Sequence, residues 1–268
     1  MTRLDLRAEA RAIHLALPAP RLADLDTHAR GSAIATWRGR MVNEYASARV
    51  FTALADQLGR AGLASAAPRV HAMVAEEQRH GALCAAVVEA LGADAVADVP
   101  PLAAVPEHAD AAPLEAAVRN ILSISCLSET VAVALIDAER RTAGPPELST
   151  LLAEILADEV QHARTGWRLL ADLAPTFDAP LRERLADWLV VAFAHLQDHE
   201  LAHLPPRPSP SAAAEALGVC DGHAARALFF ATVEQIIVPG LQAHGLAAAD
   251  AWRAAQRIGS LASTSASA

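Results

Sequence analysis

A chain of 268 residues, 53% of them hydrophobic, is long enough to build one large domain around a dry core. Its net charge is −9, its 22 basic residues are all arginine, and no basic block occurs. A nucleic-acid binder, which needs phosphate-neutralising patches, is therefore disfavoured. Cys84, Cys126 and Cys220 are scattered and form no Cys-x-x-Cys pair, which argues against a disulfide framework, a zinc ribbon or a rubredoxin-type iron site.

Alanine and leucine dominate and tyrosine occurs once, a composition that favours helix over sheet. The N-terminus carries Arg3, Asp5, Arg7, Glu9 and Arg11, so it lacks the apolar region of a secretory signal. No uncharged stretch reaches the ~18–20 apolar residues of a membrane span. The expectation is a soluble cytoplasmic protein with no membrane span.

Residues 1–31 read as an N-terminal helical segment broken at Pro18 and Pro20. The first long helix is expected over 32–60, with Ile34, Trp37, Met41, Glu44, Ala48, Phe51, Leu54 and Leu58 on one face at spacings of three or four. Gly62 ends it. The second, over 68–91, presents Val70, Met73, Val74, Glu77, His80, Cys84, Val87 and Leu91. Residues 92–113 hold Pro100, Pro101, Pro106 and Pro113 and form no regular helix. A third helix over 114–141 turns Val118, Leu122, Ser125, Glu129, Ala132 and Ile136 inward. After the break at Gly144-Pro145-Pro146, the fourth, over 147–173, carries Leu152, Ile155, Leu156, Glu159, His162, Gly166, Leu169 and Leu170.

Short links make the first and second helices antiparallel, and likewise the third and fourth. The intervening proline-rich segment, at up to ~3.3 Å per residue, can span a ~40 Å helix. The expected fold is all-α: a four-helix bundle with a long crossover over 32–173, then further helices packed on it over 174–260. The low-complexity tail 261–268 is expected to be disordered.

Two Glu-x-x-His pairs, Glu77/His80 and Glu159/His162, fall inside these inner faces, where the periodicity asks for apolar residues. Sixteen glutamates and eleven histidines produce fewer than one such pair by chance. A third pair, Glu200/His203, lies at a helix end before a proline run and reads as solvent-exposed. Residues i and i+3 stand one above the other, so both side chains reach one ion. Glu44 precedes Glu77 by 33 residues and Glu129 precedes Glu159 by 30, which brings each lone glutamate level with its pair across a hairpin. Each uncompensated buried carboxylate costs several kcal/mol. The nearest cation, Arg40, cannot balance four acids, whereas two divalent ions leave the core neutral.

This doubled pattern resembles the ferritin-like di-iron carboxylate superfamily over about residues 32–173. The resemblance implies that Glu44 and His80 bind one iron, that Glu129 and His162 bind the other, and that Glu77 and Glu159 bridge. It also makes Glu76 and Asp158 second-layer acids that fix the imidazole tautomers. Manganese or a mixed manganese–iron centre uses the same ligands. The position one turn past His80 is Cys84, and Tyr45 points away from Glu44, which disfavours the radical-tyrosine branch. Ala132 and Val133 stand where many oxygenases carry a hydroxyl residue, and Thr130 is turned aside. A ferritin ends after a short fifth helix, but this chain continues for about ninety residues, as oxygenases do when they wall off a substrate pocket. Candidate wall residues are Trp37, Met41, Phe51, Ser125, Cys126 and the Phe229-Phe230 pair, although each taken singly reads more readily as plain core.

The resemblance thus implies a non-haem di-iron oxygenase or oxidase, a monooxygenase-like oxidoreductase. It would use O2 to hydroxylate, desaturate or otherwise oxidise a small organic substrate, with two electrons from a ferredoxin or reductase. The alternative is a ferroxidase or iron-handling protein. A monomer or small homo-oligomer suits the first. His195, His199 and His203 share one helical face, which reads either as an exposed polar face or as an accessory metal site.

Overall fold

The structure, a computed structural model, describes residues 2–15, 27–206 and 208–265, with side chains as far as 258. The predicted breaks at Pro18 and Pro20, and the last three residues of the predicted tail, lie outside the described residues. Helices supply nearly all the regular structure. Strand β1 (Thr2–Asp5) leads to α1 (Arg7–Ile13), α2 (Thr27–Arg60), α3 (Ala67–Ala90) and strand β2 (Val96–Val99). Then come α4 (Pro113–Ile121), a π-helical segment (Leu122–Ser128), α5 (Glu129–Thr142) and α6 (Pro146–Leu173). The remainder comprises α7 (Ala179–His203), α8 (Ala212–Glu215), α9 (Gly222–Thr232), a second π-helical segment (Val233–Ile237), α10 (Val238–Ala243) and α11 (Ala248–Ser265).

The chain forms two compact units that interleave in sequence. One comprises Met1–Glu107, Ile136–Asp158 and Pro208–Asp221; the other comprises His108–Leu135, Glu159–Arg207 and Gly222–Ala268. Helices α5 and α6 each contribute residues to both.

In the first unit, α2 and α3 pack as an antiparallel hairpin. Gly62 closes α2 at φ 77°, and the amides of Gly62 and Leu63 return to the carbonyls of Gly59 and Leu58. This pattern needs the left-handed backbone that glycine tolerates. Trp37, Met41, Cys84, Val87, Leu91, Leu152 and Ile155 fill the core. Burying each large side chain contributes roughly 1.5–3 kcal/mol.

The two strands are a departure from the sequence expectation. Thr2–Asp5 pairs antiparallel with Val96–Val99, Thr2 opposite Val99 and Asp5 opposite Val96. Four residues are too few to show a period of two, and the partner lies some ninety positions away. In the crossover, buried Gln57 donates from Nε2 to the Pro106 carbonyl at 2.9 Å.

In the second unit, α7 lies against α11. Asp178 caps α7, its Oδ1 accepting from the Leu181 amide at 2.8 Å. Phe193, Phe229, Phe230 and Trp252 form an aromatic cluster, with Phe193 and Trp252 edge to face at 5.4 Å. Glu115 and Arg119 are buried as an ion pair at 2.7 Å, and Arg184 holds the other Glu115 oxygen at 2.8 Å. Helix α11 continues to Ser265, into the tail expected to be disordered from 261 on, because nothing after Gly259 breaks a helix.

Two stretches, Pro113–Thr142 and Gly222–Ala243, are long and apolar enough to cross a membrane by length and composition. Each has a window of eighteen residues with at most two charges, a looser criterion than the uncharged run sought in the sequence. Core helices of globular folds meet the same criterion, and the first stretch buries Glu115, Arg119 and Glu129.

Candidate metal centre

Helix α2 supplies Glu44, and α3 supplies Glu77 and His80 from adjacent turns. Each offers a ligand atom, and these atoms lie within 4.8 Å of one another. His80 is fully buried and Glu77 is 1% exposed. The His80 Nδ1 stands 3.7 Å from Glu44 Oε2 and 3.9 Å from Glu77 Oε2. On the far side of the ring, Nε2 lies 3.1 Å from Asp158 Oδ2. A carboxylate only accepts, so Nε2 carries the proton, and in the neutral ring the Nδ1 lone pair faces the two glutamates.

Three electron-rich atoms that face one another repel unless a cation joins them. Two donors each ~2.1 Å from a common ion come to lie about 3–4 Å apart. The measured separations fall in that range and are too long for hydrogen bonds. The donor set, two carboxylates and one imidazole, suits a divalent first-row ion.

Asp158 also receives Arg79, whose guanidinium grips Glu154 as well. Arg79 therefore holds Asp158 against His80 and stabilises its charge. Asp158→Asn keeps the size but loses both charge interactions, so Co2+ affinity at this site is expected to fall about 10–100-fold. Competition with a chromophoric chelator measures it, and unchanged affinity would remove Asp158 from the site. Glu76, named from the sequence alongside Asp158, accepts from Arg69 Nη1 at 2.9 Å.

The second set comes from α5 and α6: Glu129, Glu159 and His162, again with ligand atoms within 4.8 Å of one another. His162 is fully buried; its Nδ1 lies 3.1 Å from Glu159 Oε2 and 3.7 Å from Glu129 Oε2. Glu129 Oε2 is buried and has no hydrogen-bond partner among the described residues. Burial, and next the charge of Glu159, push the Glu129 carboxyl well above the ordinary carboxylate range, against the pull of His162. Without a cation this acid takes up a proton. The donor types match those of the first set, but here the His162 Nδ1 is within hydrogen-bond distance of Glu159 Oε2, so a bound ion would take the place of the proton between them.

The π-helical segment Leu122–Ser128 runs straight into Glu129. An extra residue in the turn shifts the helical register, so that Ser125, Cys126, Glu129 and Thr130 are all buried. Thr130 Oγ1 accepts from Trp167 Nε1 at 3.0 Å. Ala132 and Ile136, expected inward, are only partly buried. A run of seven residues, Leu-Ser-Ile-Ser-Cys-Leu-Ser, holds no local signal for a widened turn. Burial also raises the Cys126 thiol pKa and keeps it neutral.

Comparison of the chain with protein-family models, curated proteins and solved structures gives no match. The site is therefore defined by its own donors and geometry.

Arg40, the cation nearest Glu44 in sequence, forms an ion pair with Glu139 at 2.5 Å and stacks over the Trp37 ring at 4.5 Å. Trp37 and Met41 lie in the core of the first unit, and Trp37 Nε1 donates to the Leu217 carbonyl at 2.7 Å. Phe51 and Phe229 are fully buried. Two surface concavities, of about 250 and 380 Å3, are lined by other residues: Arg119, Arg184, Asp187, Trp188 and Val191 for one, and Ala171, Ala174, Pro175, Arg182 and 243–245 for the other.

Proposed function

We propose that the two Glu/His sets hold a pair of iron ions and that the protein is a non-haem di-iron oxygenase or oxidase acting on a small organic substrate. The reading rests on one observation. The same trio, a lone glutamate with a Glu-x-x-His pair, occurs twice, and each time a buried imidazole turns its Nδ1 toward two carboxylates. Glu44, Glu77 and His80 hold one ion and Glu129, Glu159 and His162 the other, in the manner of the ferritin-like carboxylate proteins that the motif resembles. The metal supplies the O2 chemistry and the electron storage that no protein side chain provides.

The chain's own residues set the conditions. Asp158 holds the His80 proton on Nε2, so that Nδ1 stays a donor. Burial keeps water from both imidazoles. Electrons come from an external ferredoxin or reductase. The helices beyond Leu173 supply the walls that a storage subunit has no need of.

Iron content and assembly size test the reading. Anaerobic loading is expected to leave about two irons per chain in a monomer or small oligomer, and Glu129→Ala at most about one. Hundreds of irons in a large hollow particle would instead make Fe2+ the substrate. Full iron in the Glu129 variant would overturn the ligand assignment.

A further inference from the structure

The last two turns of α7 carry a second candidate ligand set, unrelated to the buried one. His195, His199 and His203 follow one another at intervals of four and share an exposed face. The rings of His199 and His203 stand 4.5 Å apart, and those of His195 and His199 stand 6.3 Å apart. Two imidazoles ligating one ion place it ~2.1 Å from each nitrogen, with each ring centre ~3.3 Å from the ion. At a right angle their centres then lie ~4.6 Å apart. The His199–His203 pair already has this separation.

The tautomer is set as well. His203 Nδ1 lies 2.8 Å from the His199 carbonyl, which only accepts, so Nδ1 donates and Nε2 keeps its lone pair. Metal-ligating histidines usually donate their other nitrogen in this way, often to a backbone carbonyl. The helix end that carries the pair is itself anchored: Arg226 donates to the carbonyls of Leu201 and Leu204. Although His199 is exposed as a residue, desolvation of its ring and the neighbouring His203 and His195 hold its pKa down to about 4. It is neutral and able to ligate at physiological pH.

We infer that His199 and His203 form a surface site for a borderline-soft divalent transition ion such as Zn2+, with water completing the shell. This site is independent of the buried Glu/His sets.

Zn2+ titration by calorimetry, on protein already loaded with iron, tests it. One Zn2+ per chain is expected to bind, and His199→Gln/His203→Gln to lose it, while His195→Gln, whose ring stands farther off, keeps it. Zn2+ should also shift the His203 Nε2 resonance in long-range 15N spectra. The double variant lies on an exposed face and is expected to melt as the parent does. Glu129→Gln should lose buried metal yet keep this Zn2+, which separates the failure of one site from that of the other. Equal Zn2+ uptake by the parent and the double variant, or a His203 resonance that Zn2+ leaves unmoved, would overturn the inference.

Discussion

Removing metal with a chelator at neutral pH is expected to lower the melting temperature by roughly 10 °C. A ligand held at about a thousand times its dissociation constant stabilises the folded state by ~4 kcal/mol. In a chain of this size each kcal/mol moves the midpoint by about 2–4 °C. The effect should vanish largely in Glu129→Gln. That variant resembles the protonated carboxyl of the metal-free protein in shape and charge, so its metal-free stability should match that of the parent at low pH.

The pH dependence has a definite sign. Folding raises the Glu129 pKa well above 4.5. In the metal-free protein the folded state therefore holds a proton that the unfolded chain releases near its ordinary value. Stability from this group is full below about 4.5 and declines as pH rises toward the folded value. Asp5, Asp110 and Asp137, held low mainly by arginine hydrogen bonds, have the opposite slope. They are common to parent and variant, so the difference between the two melting curves isolates Glu129. Glu129→Gln should be the more stable metal-free protein at pH 7, with no advantage at pH 4. Thermal melts in excess chelator across that range decide it; a parent that stays level with the variant at pH 7 would show that no cation is needed there.

The second large effect concerns Gly166, one turn beyond His162. A Cβ at this position would stand 2.3 Å from Ser125 Cβ, and 3.1 and 3.2 Å from Ser125 backbone atoms. Backbone cannot swing aside as a long side chain can, so Gly166→Ala is expected to cost about 1–3 kcal/mol or more. Ser125 sits in the π-helical segment that leads into Glu129, so the displacement reaches a ligand. Bound metal should fall together with stability. Gly39 provides the contrast. It is exposed in mid-α2, and a methyl group added there would meet nothing within 4 Å, so Gly39→Ala should gain about 0.5–1 kcal/mol. Denaturant melts and metal content of the two variants test the pair; a Gly166→Ala protein as stable and as metal-rich as the parent would mean that the close approach matters little.

Much of the architecture was legible in the residues themselves. The period of three to four locates α2, α3 and α6 to within a few residues, because helix hydrogen bonds and the apolar face are set inside a short window. The same period exposes Glu77, His80, Glu129, Glu159 and His162 as polar groups in core positions, and all five are buried. Composition and cysteine spacing, without any fold, argue against zinc ribbons and disulfide scaffolds.

Other features depended on residues far apart in the chain. Strand β1 finds its partner at 96–99 only when the crossover returns, and neither four-residue run has a period to display. The widened turn before Glu129 has no local residue preference to announce it, and Ser125 within it lies close against Gly166 of another helix. The motif singles out Asp158 and Glu76 alike, and it is tertiary packing that sets Asp158 between His80 and Arg79. Arg40, a neighbour of Glu44 along α2, is drawn instead to Glu139. Helical periodicity is a short-range property and can be read from one segment. The partner of a charge or of a strand edge is a long-range property, decided by which surfaces the whole chain buries together.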